Sequence, residues 1–208
     1  MKKLKIAVFA SGQGTNFQAL ADAAADGRLD VDIGLLVCDK AAAPVVARAE
    51  QAGVEAYVFA PKSYASREAY ETEILAELRR RGVELIVLAG YMRIITQVLV
   101  EPYYGRMINV HPALLPSFPG VNGIRQALEY GVKVTGVTVH YVDGGMDSGP
   151  IIAQRAVEVL DGDTESTLGE RVQKVERELL PWAVAQIAFG RVRLDGRHVT
   201  IASDTVRS

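Results

Sequence analysis

From residue 4 to residue 110, short runs rich in β-branched and aliphatic residues alternate with longer stretches of helical periodicity. Strands separated by helices cannot pair as tight hairpins. They line up in parallel, and the intervening helices cross over the faces of the sheet. The pattern places strands near 4–10, 32–38, 54–59, 84–89 and 106–110, and helices near 15–26, 43–52, 66–81 and 96–103. The third helix is the clearest, with Ser66 as its cap and an apolar stripe of Ile74, Leu75 and Leu78. Arg79, Arg80 and Arg81 before Gly82 are cations at a helix end, so this run reads as a solvated terminus rather than a nucleic-acid patch.

Beyond residue 110 the texture changes, because Pro112, Pro116, Pro119 and Gly120 interrupt a segment that can be neither a helix nor a central strand. A short helix near 122–130 follows, then strands near 135–142 and 150–159 and a long helix near 164–189, with Pro181 as a kink. Residues 191–201 read as a hairpin turning at Asp195 and Gly196. The expected fold is α/β, a Rossmann-like open twisted sheet with helices on both faces. It should be parallel in the amino-terminal half, with antiparallel additions in the carboxyl-terminal half. A length of 208 residues, 49% of them hydrophobic, suits a single domain over 1–208.

Lysine and arginine (23) nearly balance aspartate and glutamate (25), and the formal charge of -2 provides no field to gather nucleic acid or an anionic membrane. Small molecules are the expected partners. Cys38 is the single cysteine and ends the apolar run Gly34-Leu35-Leu36-Val37-Cys38, so it reads as a buried small hydrophobe. The histidines fall at no metal-ligand spacing, so no metal is expected. The apolar stretch Ile6 to Ala10 is too short for a signal-peptide core, and no stretch approaches the ~20 apolar residues of a membrane span. A cytoplasmic location is expected.

The first strand leads through Ala10-Ser11-Gly12-Gln13-Gly14-Thr15-Asn16 straight into the first helix, where backbone amides and the positive helix end converge on a site for an anion. Gly14, Thr15 and Asn16 are the candidate phosphate binders. The loop is not a dinucleotide fingerprint, because Phe17 stands where a third glycine would allow close packing of helix and strand. Asp39, beyond the second strand, reads as a solvated loop carboxylate.

The strongest chemical signal is Ile108-Asn109-Val110-His111-Pro112. The period of two puts Asn109 and His111 on one side of a strand, at the carboxyl edge where open α/β sheets bind ligands. An acyl transfer needs donors for the oxygen that turns negative in its tetrahedral intermediate, and an amide with a protonated imidazole supplies two. A carboxylate beside the histidine would favour its charged form. Asp147 and Asp143, both in the glycine-rich segment 143–149, are rivals for that place. His140 either reaches a ligand or fills the sheet, and His198 reads as a surface residue.

Four ordered segments resemble the signatures of the glycinamide ribonucleotide formyltransferase family along almost the whole chain. They are Ala10 to Asn16, Leu88-Ala89-Gly90-Tyr91-Met92-Arg93-Ile94-Ile95, Asn109 to Gly120, and Gly136 to Pro150. The resemblance implies that 10-formyltetrahydrofolate, as cosubstrate, donates a formyl group to the amine of glycinamide ribonucleotide in purine biosynthesis. The expected assembly is a monomer or homodimer. In this reading residues 1–110 bind phosphate and nucleotide, and 111–208 complete the folate and catalytic site.

The same resemblance selects Asp147 over Asp143 as the catalytic partner of Asn109 and His111. It matches Gly14, Thr15 and Asn16 to the substrate phosphate, and Gln173, Lys174, Val175 and Glu176 on the long helix to the nucleotide. Without it, Glu176 reads as an exposed helix charge. Arg67, Met92, Arg93, Ile94 and Ile95, with Asp143, Gly144, Gly145 and Met146, match folate-side positions. Backbone groups there would read the pterin edge, Met92 and the isoleucines would cover its faces, and Arg67 would meet the folate glutamate. Many relatives carry histidines after Pro119 and Gly120, where this chain has Val121-Asn122-Gly123-Ile124, so that role does not transfer.

Methionyl-tRNA formyltransferase and formyltetrahydrofolate hydrolase share the Asn-x-His motif and the remote aspartate. The first is expected to carry an added tRNA-binding domain and the second an amino-terminal regulatory domain. A sugar-nucleotide formyltransferase would need a different acceptor pocket. A non-catalytic nucleotide-binding module would have no need of Asn109, His111 and Asp147 together.

Overall fold

The computed structural model describes residues 2–202; Met1 and residues 203–208, included in the single-domain expectation, lie outside the described residues. One sheet runs through both halves of the chain. Its strands are β1 (Leu4–Phe9), β2 (Val31–Cys38), β3 (Ala56–Val58), β4 (Leu85–Leu88), β5 (Met107–His111), β6 (Val134–Tyr141) and β7 (Ile151–Glu158), in the order β3-β2-β1-β4-β5-β6-β7. Strands β1 to β5 pair in parallel, whereas β6 and β7 are antiparallel. The expected α/β architecture is thus the observed one.

The helices are α1 (Thr15–Ala25), α2 (Pro44–Gln51), α3 (Arg67–Arg81), α4 (Gln97–Val100), α5 (Gly123–Tyr130) and α6 (Glu165–Ala188). Alternate side chains of each central strand go to opposite faces. Ile6, Val8, Val87, Ile108 and Val139 pack in one core with Phe17 and Leu20 of α1 and Leu168 and Val172 of α6. Ala7, Phe9, Ile86, Leu88 and Met107 pack in the other with Tyr70, Ile74 and Leu78 of α3. Fully burying one large aliphatic or aromatic side chain contributes about 1.5–3 kcal/mol, so these two layers dominate the stability of the fold. Phe17 is wholly buried in the first core.

Ser66 accepts a hydrogen bond from the Ala69 amide at 3.2 Å as the cap of α3, and Gly82 closes that helix at φ 67°. Two elements differ from expectation. Strand β3 has only three residues, because it is an edge strand that pairs with β2 at just Ala56, Tyr57 and Val58. Helix α4 is a single turn, since Pro102 lacks an amide hydrogen and the chain turns through Gly105 before β5. Helix α6 contains Pro181 within its span. The carboxyl-terminal hairpin, β8 (Val192–Asp195) with β9 (His198–Ile201), packs its half-buried Val192, Leu194, Val199 and Ile201 against the first core, and His198 is exposed.

On the α3 face, the side-chain row begun by Met107 continues through Asn109 to His111 on β5. Their cross-strand partners on β6 are His140 opposite Asn109 and Thr138 opposite His111. Residues directly opposite one another share a face. Four polar side chains therefore sit together where the helical cover ends, beneath loops 113–120 and 143–149.

Candidate active site

Asp147 brings this patch to a focus. Its Oδ2 lies 3.5 Å from Nδ1 of His111, and its Oδ1 is 3.6 Å from Nε2 of His140 and accepts from Nδ2 of Asn109 at 3.3 Å. The Gly120 amide donates to Oδ2 at 2.7 Å. Burial pushes the Asp147 carboxyl up, but the adjacent His140 ring, the Gly120 amide and the His111 ring outweigh it and hold the group below the ordinary 3.8. His111 is 4% exposed, and its Nε2 is 2.8 Å from the Phe118 carbonyl oxygen. Both of its ring nitrogens face acceptor oxygens, an arrangement served by the doubly protonated ring. Asn109 also has Nδ2 3.2 Å from Nε2 of His140, so its two amide hydrogens are directed to His140 and Asp147.

The loops around these groups are held by other buried contacts. The Thr138 hydroxyl donates to the Ala113 carbonyl at 2.7 Å and accepts from the Leu115 amide at 3.1 Å, while Gln154 donates to the Thr138 hydroxyl and the Leu115 carbonyl. Phe118, Asn122 and Asp147 all have positive φ, at 55°, 63° and 50°. Gly149 has no room for a side chain, since a Cβ there would lie 1.8 Å from the Tyr141 carbonyl oxygen. In the 143–149 segment, Asp143 accepts from the Gly145 amide and the Ser148 hydroxyl, and so acts as a turn residue. Arg197, at the hairpin tip, donates to the Ser148 carbonyl at 2.8 Å.

At the other end of the cleft, Gly14 caps α1 in the left-handed region at φ 74° without a side-chain cap, which leaves the first-turn amides facing the loop. A Cβ at Gly14 would stand 2.5 Å from Val45 Cγ2, so packing against α2 also requires glycine here. Asn16 donates through Nδ2 to Glu176 Oε2 at 3.2 Å, and its own Oδ1 is buried without a described partner. Glu176 is 8% exposed, and burial pushes its carboxyl up to about 6 against the pull of the Asn16 amide. The exposed helix charge suggested by local sequence is thus corrected, because α6 lays this residue against α1. Gln173 and Lys174 are exposed and Val175 is half-buried against the core.

Segment 91–96 follows β4 and is tied down at three points. The Met92 amide donates to Ser11 Oγ at 2.9 Å, and Arg93 Nε pairs with Asp39 Oδ2 at 2.7 Å. The Thr96 amide and hydroxyl both donate to the buried Glu71. Burial pushes the Glu71 carboxyl up, against these bonds. The reading of Asp39 as a solvated carboxylate is overturned, since its side chain is fully buried and charge-paired. Met92 and Ile94 are 64% and 58% exposed and Ile95 is half-buried, while Met146 is 64% exposed. Gly144 and Gly145 are exposed, as is Arg67 at the first turn of α3.

The structure also recruits groups that residue type did not announce. The Phe118 carbonyl and Gly120 amide are backbone atoms and leave no composition signal. His140 had one, since its alternation with Val139 and Tyr141 left open whether it reached a ligand or filled the sheet. Among the described residues no group of histidine, cysteine, aspartate and glutamate has the geometry to hold a metal ion, and no helix is long and apolar enough to cross a membrane.

The formyl transferase family model matches residues 4–184. The phosphoribosylglycinamide formyltransferase of Bacillus subtilis (strain 168) is 49% identical over 183 residues, covering 88% of this chain and 94% of that protein. The chain belongs to the phosphoribosylglycinamide formyltransferase family. Within this family, the crystal structure of glycinamide ribonucleotide transformylase 1 from Symbiobacterium toebii superimposes with a TM-score of 0.95 at 43% identity, over 97% of this chain and 95% of that one. A formyltetrahydrofolate deformylase from Pseudomonas syringae pv. tomato is more distant, at 26% identity and a TM-score of 0.90, covering 97% of this chain and 67% of that one. This formyltransferase therefore shares its scaffold with an enzyme of different name, and the site must decide what it does.

Proposed function

We propose that this formyltransferase of purine biosynthesis passes the formyl group of 10-formyltetrahydrofolate to the primary amine of phosphoribosylglycinamide. The observation that carries the reading is the convergence of Asn109, His111 and Asp147 on one carboxylate-centred cluster. The amine lone pair attacks the formyl carbon, and the carbonyl oxygen takes the negative charge. Collapse breaks the bond from carbon to folate N10, which takes up the proton that Asp147 has removed from the amine and leaves as tetrahydrofolate. Asn109 and His111 donate to the transient oxyanion, each donor supplying about 3–4 kcal/mol of transition-state stabilisation. Asp147 orients His111 and accepts the proton released by the attacking amine.

Because the Asn109 hydrogens are directed to His140 and Asp147, and those of His111 to Asp147 and the Phe118 carbonyl, the oxyanion must compete for them. Protonation of Asp147 weakens it as an acceptor at the moment the oxyanion forms, which favours that exchange. Gly14, Thr15 and Asn16 take the substrate phosphate on the uncapped α1 terminus. Gln173, Lys174, Val175 and Glu176 form the nucleotide side, where the unpartnered Asn16 Oδ1 and the Glu176 carboxyl offer acceptors to hydroxyl and amine groups. The folate side comprises Arg67, Met92, Arg93, Ile94, Ile95, Asp143, Gly144, Gly145 and Met146. The exposed apolar side chains of Met92, Ile94 and Met146 suit the faces of a flat heterocycle.

The test is conversion of 10-formyltetrahydrofolate to tetrahydrofolate with and without phosphoribosylglycinamide. Turnover that depends strictly on this acceptor, with formylated product appearing in equal amount, is expected. Equal turnover in its absence would make the chain a hydrolase and sink the proposal.

A further inference from the structure

We propose that His140 is a positioning residue for formyl transfer, fixing the direction in which the Asn109 amide points. The inference rests on the role given above to Asn109. His140 is 2% exposed and lies directly opposite Asn109 in the β5–β6 ladder. Its Nδ1 is 2.8 Å from the carbonyl oxygen of Tyr141, so this nitrogen carries a hydrogen. In the neutral ring Nε2 is then a lone-pair acceptor, and it faces the Asn109 nitrogen at 3.2 Å. A backbone carbonyl that fixes the tautomer thus determines what the other ring nitrogen does.

Asn109 has two ways to place its amide, and they are not equivalent here. As found, its nitrogen meets the Asp147 carboxylate oxygen and the His140 lone pair, both acceptors. Turning the amide over would set its oxygen against both, with no hydrogen between. Asp147 alone enforces this choice only while it is ionised, and in the proposed reaction it takes up a proton. His140 has no such lapse. It retains its lone pair when Asp147 is protonated, and so keeps the amide hydrogens on the side where charge develops. A buried histidine serving only as filler would need just its bond to Tyr141, which uses the other nitrogen.

The experiment is a double-mutant cycle on the full chain, reading kcat and both KM values. His140→Asn keeps a donor near the Tyr141 carbonyl but is too short to reach Asn109. His140→Gln extends an acceptor oxygen toward the position of Nε2. Each is made in the parent and in Asn109→Ala, with thermal melting to confirm folding. In the parent, His140→Asn is expected to lower kcat about 10–100-fold with each KM changed less than about threefold, and His140→Gln to recover most of the rate. In the Asn109→Ala background, His140→Asn should change kcat less than about twofold. The same fold-loss in both backgrounds, or a parental kcat in His140→Asn, overturns the proposal. An Asn109→Ala enzyme that itself turns over at the parental rate overturns the catalytic reading of Asn109 as well.

Discussion

The side-chain amide of Asn16 on α1 donates to the Glu176 carboxylate on α6 at 3.2 Å, across 160 residues of sequence. Burial raises that carboxyl from 4.5 to about 6, the Asn16 amide opposing it only in part. Between these values the folded chain holds a proton that the unfolded chain has released, so stability falls as pH rises through the window. The shift corresponds to about 2 kcal/mol. Glu176→Gln removes this loss, and should melt at a higher temperature than the parent near pH 8 but not near pH 4. Thermal melts at the two pH values decide the matter, and an advantage of equal size at both would contradict it.

The catalytic cluster makes a kinetic prediction. Asn109→Ala, His111→Ala and Asp147→Ala should each lower kcat by about 10²–10³. Circular dichroism melting should show a folded chain in every case. The ordering effect of Asp147 should survive mild acid, because its carboxyl sits below 3.8. Any stability it contributes is present above the unfolded value and lost as pH falls through the folded one. Near-parental rates in all three variants would remove the mechanism.

Gly14 is constrained twice, by φ 74° and by Val45, whose Cα would be 2.9 Å from an added Cβ. Gly14→Ala should destabilise the chain by about 1–3 kcal/mol. It should also raise KM for the phosphorylated substrate more than KM for the folate. Denaturant unfolding and steady-state kinetics check the two parts separately.

Arg93 neutralises an Asp39 side chain that has no solvent exposure. Arg93→Ala leaves this carboxylate buried and unpaired, at a cost of about 1–3 kcal/mol. Adding Asp39→Asn to that variant should recover part of the loss. Recovery by the second substitution, measured by chemical denaturation, separates an ion-pair effect from the loss of arginine packing.

Much of the architecture was legible because local periodicity and burial agree. Ile6 and Val8 alternate with Ala7 and Phe9 between two cores, as the strand period requires. The spacing of Asn109 and His111 gave their shared face for the same reason. Asp39 and Glu176 read locally as solvated charges because their partners lie 54 and 160 residues away, and only tertiary packing tells a buried carboxyl from a solvated one. The roles of the Phe118 carbonyl and Gly120 amide were invisible, because every residue carries such atoms. His140 lay between these cases: its identity was plain, but its partner depended on the register of a strand pair.

That register has a bearing on how the chemistry could be moved elsewhere. Since β6 runs back along β5, a slip of one residue would exchange His140 for Val139 or Tyr141 opposite Asn109 and turn an imidazole into the aliphatic layer. Grafting the Asn-x-His peptide alone onto a foreign scaffold would carry over the reagents without their alignment. The smallest transplantable piece is the ladder of both strands together with the bend that delivers Asp147.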